Sequence, residues 1–187
     1  MPTVIILAAG RGARFLAAGG TCHKLDASLA GHSVLHHVLA AAEASGLPWH
    51  LVRPAGGTAG MGASIAAGVN ATLDADGWLI LPGDLPLIRP LTLQRVASAL
   101  ASHCVVVPRF RQRAGHPVGF ARNHLTALTA LSADTGAASI VRAARVSGGV
   151  RDLALNDAGI IYDIDTPGDL VRARRIVRRR ALRDNTP

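Results

Sequence analysis

Several short runs in this chain have residue types and spacings suited to holding and moving phosphate. The first is Leu7-Ala8-Ala9-Gly10-Arg11-Gly12-Ala13-Arg14, with Lys24 further on. Side chains this small leave backbone N–H groups free to approach phosphate oxygens. Arg14 and Lys24 can then neutralise charge that the amides only partly offset. The run is not a Walker A loop, because Gly-Lys-Ser/Thr is missing, and its glycine spacing is not that of a dinucleotide fold. Taken alone it also reads as a structural turn with two exposed cations.

The second run is Leu81-Pro82-Gly83-Asp84-Leu85-Pro86. A carboxylate fixed between Gly and Pro just beyond a buried strand suits an Mg²⁺ ligand, since that ion is commonly held by one or two carboxylates plus substrate phosphates. A turn aspartate capping its own backbone is the plainer alternative. The third is Gly115-His116-Pro117, where His116 either contacts a phosphate or braces a loop. The fourth is Asp163-Ile164-Asp165-Thr166-Pro167. On an extended strand two carboxylates two residues apart point to the same side, where either can complete a metal site with Asp84. Asp165 or Thr166 equally suits a helix N-cap ahead of Pro167 at the first turn.

These groups need a scaffold that brings them to one edge. Residues 3–7 (TVIIL) form a short, continuous, β-branched run, the pattern of a fully buried parallel strand. Residues 10–20 read as loop, 33–45 as a helix stopped by Gly46-Leu47-Pro48, and 49–53 as a second strand. A second glycine-rich loop over 54–62 leads to a helix over 63–73, and a third strand at 77–81 closes on Asp84. A helix over 92–102, a strand at 104–108, a basic hairpin tip at 110–115 and a strand at 117–120 follow. Helices near 123–131 and 136–144, a last strand near 159–164 and a basic helix over 166–181 complete the pattern. Strands alternating with helices in this way predict an α/β fold whose mainly parallel sheet is covered on both faces. Ligands of such sheets bind outside the carboxyl ends of the strands, where both glycine loops and Asp84 fall.

At 187 residues the chain fits a single domain, expected over 1–183 with a disordered tail at 184–187. There is no run of about 18 apolar residues, so no membrane span is expected. The opening segment lacks the basic lead of a signal peptide. Cys22 and Cys104 make neither a disulfide framework nor a metal-ligand spacing, and a reducing cytoplasm suits them. The formal charge is +8, and seven arginines crowd residues 172–183. That segment is either a solvated basic helix or a polyanion surface. Aromatics are only 3% of the chain, which weighs against a single-stranded nucleic-acid partner.

Taken together, in order and over almost the whole chain, these runs resemble the MobA-like NTP transferase family, and within it the molybdenum cofactor cytidylyltransferases. Gly60-Met61-Gly62-Ala63-Ser64 through Gly68 and Leu131-Ser132-Ala133-Asp134-Thr135-Gly136 add to the match. The spacer between Arg14 and Lys24 is longer than the family's usual one, with Leu16 where the family has glycine. The resemblance implies a three-layer α/β/α Rossmann-like domain of the nucleotide-diphospho-sugar transferase type. It implies that Leu7, Ala8, Ala9, Gly10, Gly12, Arg14, Lys24, Ser64 and Asp84 bind the nucleotide, with Arg14, Lys24 and Asp84 catalytic. His116 and Asp134 would bind the acceptor, and Asp84, Asp163 and Asp165 would hold Mg²⁺. The implied reaction joins a nucleoside monophosphate to the terminal phosphate of molybdopterin-molybdenum cofactor. CTP is the favoured donor, because Ala8-Ala9-Gly10 is similar to the cytidylyl branch. A recipient molybdoenzyme or its chaperone is implied as a further partner. The competing readings are a guanylyltransferase, a sugar-phosphate nucleotidyltransferase, a non-catalytic cofactor carrier and a basic nucleic-acid-binding domain.

Overall fold

Alternate side chains of β1 (Thr3–Leu7) feed two separate apolar clusters, Val4 and Ile6 in one, Ile5 and Leu7 in the other. A strand buried on both faces must be covered by helices on both faces. The computed structural model describes residues 1–133 and 135–184, the last three by backbone alone. After β1 come α1 (Ala13–Ala17), β2 (Ser28–Leu29), β3 (His32–Ser33), α2 (Val34–Ala44) and β4 (Trp49–Val52). The middle of the chain supplies α3 (Met61–Asn70), β5 (Gly77–Pro82), α4 (Pro90–Ala99), β6 (Val105–Phe110), β7 (Arg113–Ala114) and β8 (Val118–Ala121). It ends in α5 (Leu125–Thr129), α6 (Ala138–Val146), β9 (Val150–Ala154) and α7 (Pro167–Asp184).

The main sheet has seven strands in the order β4-β1-β5-β8-β6-β7, with β9 also paired to β6. The β4-β1, β1-β5 and β6-β9 pairs are parallel, whereas β8 runs antiparallel between β5 and β6. Five strands therefore share one direction, and only β7 and β8 oppose it. Leu79 and Leu81 of β5 face the cluster with α2, α4 and α7, while Trp78 and Ile80 face the cluster with α3, α5 and α6. The result is the expected three-layer α/β/α domain with a mainly parallel sheet.

Two expectations are corrected. The first loop is not loop throughout, because residues 13–17 close into α1, pinned by the buried Phe15. The strand expected near residues 159–164 is absent as well. Ala158–Ile161 forms a 3₁₀ turn, and the last strand is instead β9, whose charged residues concealed its alternation. The turn packs tightly on the segment before α4: a Cβ on Gly159 would lie 2.2 Å from the Leu87 carbonyl oxygen. Helix α7 runs to Asp184, and residues 185–187 of the expected tail lie outside the described residues. Both cysteines are free and exposed. Among the described residues no helix is long and apolar enough to cross a membrane.

Asp157 anchors the 3₁₀ turn to α4. Only 3% exposed, its carboxylate accepts from Thr92 Oγ1 at 2.7 Å, Gly159 N at 2.9 Å and Arg89 N at 3.1 Å. The Arg89 and Arg180 guanidinium groups stand 3.9 Å away. Asp157→Ala leaves these buried donors unpaired and should cost about 3 kcal/mol, read as a lower urea midpoint with unchanged slope.

Candidate functional site

Five chain segments meet at the carboxyl edge of the sheet because backbone hydrogen bonds lace them together. Gly83 N donates to Leu7 O at 2.8 Å and Ala8 N to Val52 O at 3.0 Å. Ile164 N donates to Asp84 O at 3.0 Å and His116 N to Ile160 O at 2.9 Å. The ends of β1, β4 and β5, the start of β8 and the segment before α7 thus share one frame. They surround a cavity of about 850 Å³ whose wall includes Leu7 to Arg14, Lys24, Ser64, Asp84, His116, Asp163 and Asp165.

Lys24 is its electrostatic centre. Its Nζ donates to Asp84 Oδ2 at 2.7 Å and to Asp165 Oδ1 at 3.0 Å, and Arg14 Nη1 reaches Asp165 Oδ2 at 3.2 Å. Burial alone would depress the Lys24 pKa, but the Asp84 and Asp165 carboxylates outweigh it and hold the ammonium above its ordinary value. The hydrogen bond from Lys24 keeps Asp165 below the usual carboxylate range. Asp163 goes the other way, raised by burial and by the neighbouring Asp165 and Asp84 charges. Burial lowers the pKa of His116, a shift its contact with the Ile80 carbonyl only partly offsets, and its Nδ1 has no protein partner.

The cap ambiguity ahead of α7 resolves in favour of Thr166. Asp169 N donates to Thr166 Oγ1 at 3.2 Å, while Thr166 N donates to Asp169 Oδ2 at 2.8 Å, a reciprocal capping box. Asp165 is thereby left to the cavity. Asp163 and Asp165 do not sit on a strand, as expected, but in an irregular segment held by the Ile164–Asp84 bond.

In the glycine loop the amides of Ala9, Gly10, Arg11 and Gly12 donate to no acceptor among the described residues. A Cβ on Gly10 would meet nothing, so the space beside it belongs to the cavity. Gly12 takes φ +63°, a left-handed turn into α1 that a larger residue adopts only with strain. His23, which the sequence reading passed over, ties this loop to the lysine. Its Nδ1 accepts from Leu25 N at 3.2 Å, which places the ring proton on Nε2, and Nε2 donates to Gly10 O at 2.7 Å. The only signal for it was a histidine directly preceding Lys24. The long spacer is taken up by α1, and a Cβ on Gly20 would lie 2.3 Å from the Phe15 ring that anchors it.

Ser64 lines the cavity, but its hydroxyl is engaged with Thr58 Oγ1 at 2.6 Å and Gly60 O at 3.1 Å, bracing the second glycine loop. Asp134 lies outside the described residues. No group of three or more His, Cys, Asp or Glu among the described residues is placed to hold a metal ion unaided. Asp84, Asp163 and Asp165 all line the cavity, and the Lys24 ammonium bridges Asp84 and Asp165.

A family model described as a MobA-like NTP transferase domain matches residues 4–148. No curated protein matches the chain by sequence. Among solved structures it is similar to a nucleotidyl transferase from Methanothermobacter, with TM-score 0.79, 21% identity and coverage of 96% of this chain and 98% of that one. A complex of Rv0371c from Mycobacterium tuberculosis with manganese superposes at TM-score 0.71 and 23% identity, covering 92% and 97% of the two chains. Molybdopterin-guanine dinucleotide biosynthesis protein A from Archaeoglobus fulgidus superposes at TM-score 0.61 and 16% identity, covering 95% and 99%. At these identities the likeness establishes the fold and leaves the substrate to the site.

The Lys24 node predicts a pH signature. Asp165, with its depressed pKa, adds stability above the ordinary carboxylate range that is lost as pH falls through its folded value. Lys24, with its raised pKa, adds stability that is lost only as pH rises through its folded value. Lys24→Met should therefore cost about 2 kcal/mol between roughly pH 5 and 10. Thermal melts should show that deficit shrinking as the medium is acidified toward about pH 3.

Proposed function

The chain belongs to the MobA-like NTP transferase family, and from that premise we propose that it transfers CMP from CTP to the terminal phosphate of a molybdopterin-type cofactor, releasing pyrophosphate. The observation that carries the reading is the convergence of the unpaired loop amides with Arg14, Lys24 and Asp84 on one cavity. In the proposed step an acceptor phosphate oxygen attacks the α-phosphorus of the triphosphate. A new P–O bond forms, and the bond from the α-phosphorus to the oxygen bridging to the β-phosphorus breaks. The attacking oxygen is anionic near neutral pH, so no strong general base is required. The chain's task is positioning and charge stabilisation.

The amides of Ala9 to Gly12 cradle the triphosphate, and Arg14 and Lys24 offset the charge that gathers on departing pyrophosphate. Lys24 also keeps Asp84 and Asp165 at a fixed spacing before any phosphate arrives. Asp84, with Asp163 or Asp165, would hold Mg²⁺, which when bound screens the phosphates and acts as a Lewis acid. That a mycobacterial structural neighbour is a manganese complex supports the use of a divalent ion. His116 would meet the acceptor, and burial lowers the pKa of its imidazole. The preference for CTP rests on the Ala8-Ala9-Gly10 form of the loop.

Asp84→Ala should lower kcat by about 10³-fold or more without loss of folded protein by circular dichroism. Near-normal turnover would remove Asp84 from the reaction. Pyrophosphate release measured with CTP, GTP and ATP in turn should favour CTP, and equal or greater release with GTP would overturn the base assignment.

A further inference from the structure

A transfer between two phosphates needs two anion sites, one for the donor and one for the acceptor. Four cations line the cavity: Arg11, Arg14, Lys24 and Arg113. Lys24 is committed to Asp84 and Asp165, and Arg14 to Asp165. Arg11 stands in the glycine loop itself. Arg113 belongs to a different part of the fold and, among the described residues, has no partner.

Sheet order fixes where it stands. The β1 loop, the Asp84 turn after β5 and the β6-β7 hairpin follow one another along the carboxyl edge, in the order β1-β5-β8-β6. Because β8 is antiparallel to β5, with Ile80 opposite Val118, it begins where its neighbours end, and His116 falls at that edge. The strand axes of β1 and β6 lie three spacings apart, on the order of 14 Å. Asp84 is thus flanked by the glycine loop on one side and Arg113 on the other.

The hairpin that carries Arg113 is anchored. Phe110 pairs with Arg113 and Arg109 with Ala114. Arg109 Nη1 donates to Gln112 O at 2.6 Å, its Nε reaches Asp152 Oδ1 at 2.8 Å, and Gly115 N donates to Pro108 O at 2.9 Å. A Cβ on Gly115 would lie 2.4 Å from the Ile160 carbonyl oxygen, so the base of the hairpin is pressed onto the wall of the cavity. The neighbouring cation Arg111 lies 5.3 Å over the Phe110 ring instead and is not part of that wall. His116, whose Nδ1 is buried without a protein partner, lines the same cavity as Arg113.

We propose that Arg113, presented by the β6-β7 hairpin beside His116, forms a second anion subsite that binds a phosphate monoester, distinct from the triphosphate cradle of the first loop. Resting on the transfer reading, this assigns the subsite to the acceptor's phosphate. A guanidinium suits that group through paired hydrogen bonds to two of its oxygens.

The test uses the full chain, with inorganic phosphate as the probe, titrated by calorimetry in the presence of saturating CTP and Mg²⁺. Wild type should bind phosphate, and Arg113→Gln should weaken that binding about tenfold or more while CTP affinity stays within about twofold. Arg113→Lys should retain part of it, and Arg111→Gln should match wild type. The proposal is overturned if Arg113→Gln binds phosphate like wild type, if CTP weakens as much as phosphate, or if CTP-loaded wild type binds no phosphate. Should wild type bind no nucleoside triphosphate, the transfer reading fails. Phosphate titrated alone into wild type and Arg113→Gln then decides the subsite, a tenfold loss supporting it and equal binding refuting it.

Discussion

Two carboxylates drawn into a partly buried cavity repel each other, and the ammonium of Lys24, 2.7 and 3.0 Å from Asp84 and Asp165, is what lets them stand together. Charge in such a place is costly unless it is paired and hydrogen-bonded. The arrangement meets that demand with an ammonium, which can donate in three directions. Asp84 comes from the end of a central strand, Asp165 from the lead into the last helix and Lys24 from the end of the first loop. Each of these segments is held where the ion pair needs it by a main-chain hydrogen bond or a cap. The reciprocal Thr166–Asp169 cap matters for the same reason, because it relieves Asp165 of a local duty.

The antiparallel strand in the middle of the sheet has a functional consequence. In an all-parallel sheet every strand offers only its final residues to the binding edge. Strand β8 offers its first residues there, and with them His116 and the hairpin that precedes it. The site therefore draws polar groups from both a strand end and a strand beginning, placed on either side of Asp84. Solved structures with 16 to 24% identity share this fold over nearly the whole chain. What they share is the fold alone, and the chemistry lies in the loops at its edge.

The glycine loop shows how a long spacer can still deliver a lysine. Nine residues lie between Arg14 and Lys24 in sequence, yet α1 folds back on the buried Phe15, and His23 bonds the far end of the spacer to Gly10. The imidazole is read in one tautomer by Leu25 N–H, so it is a fixed strut between cradle and lysine. Beyond its place before Lys24 nothing in the residue pattern marked His23 for this, since its remote partner is the main-chain oxygen of Gly10.

Much of the scaffold was legible in the chain alone. The β-branched run of β1, the small residues after it and a carboxylate between Gly83 and Leu85 are local signals, set by side-chain size and by periods of 2 and 3.6 residues. They identified the edge and the charged groups on it. Strand β9 and the turn at Ala158–Ile161 were not legible, because an edge strand with charged residues lacks a clean alternation and the turn is held by Asp157 through partners as remote as Arg89 and Thr92. Which carboxylates pair with Lys24, which residue caps α7 and which cations are drawn into ion pairs were decided only on folding. Those outcomes depend on distances between atoms remote in sequence, and strand order and register set them where no local pattern can.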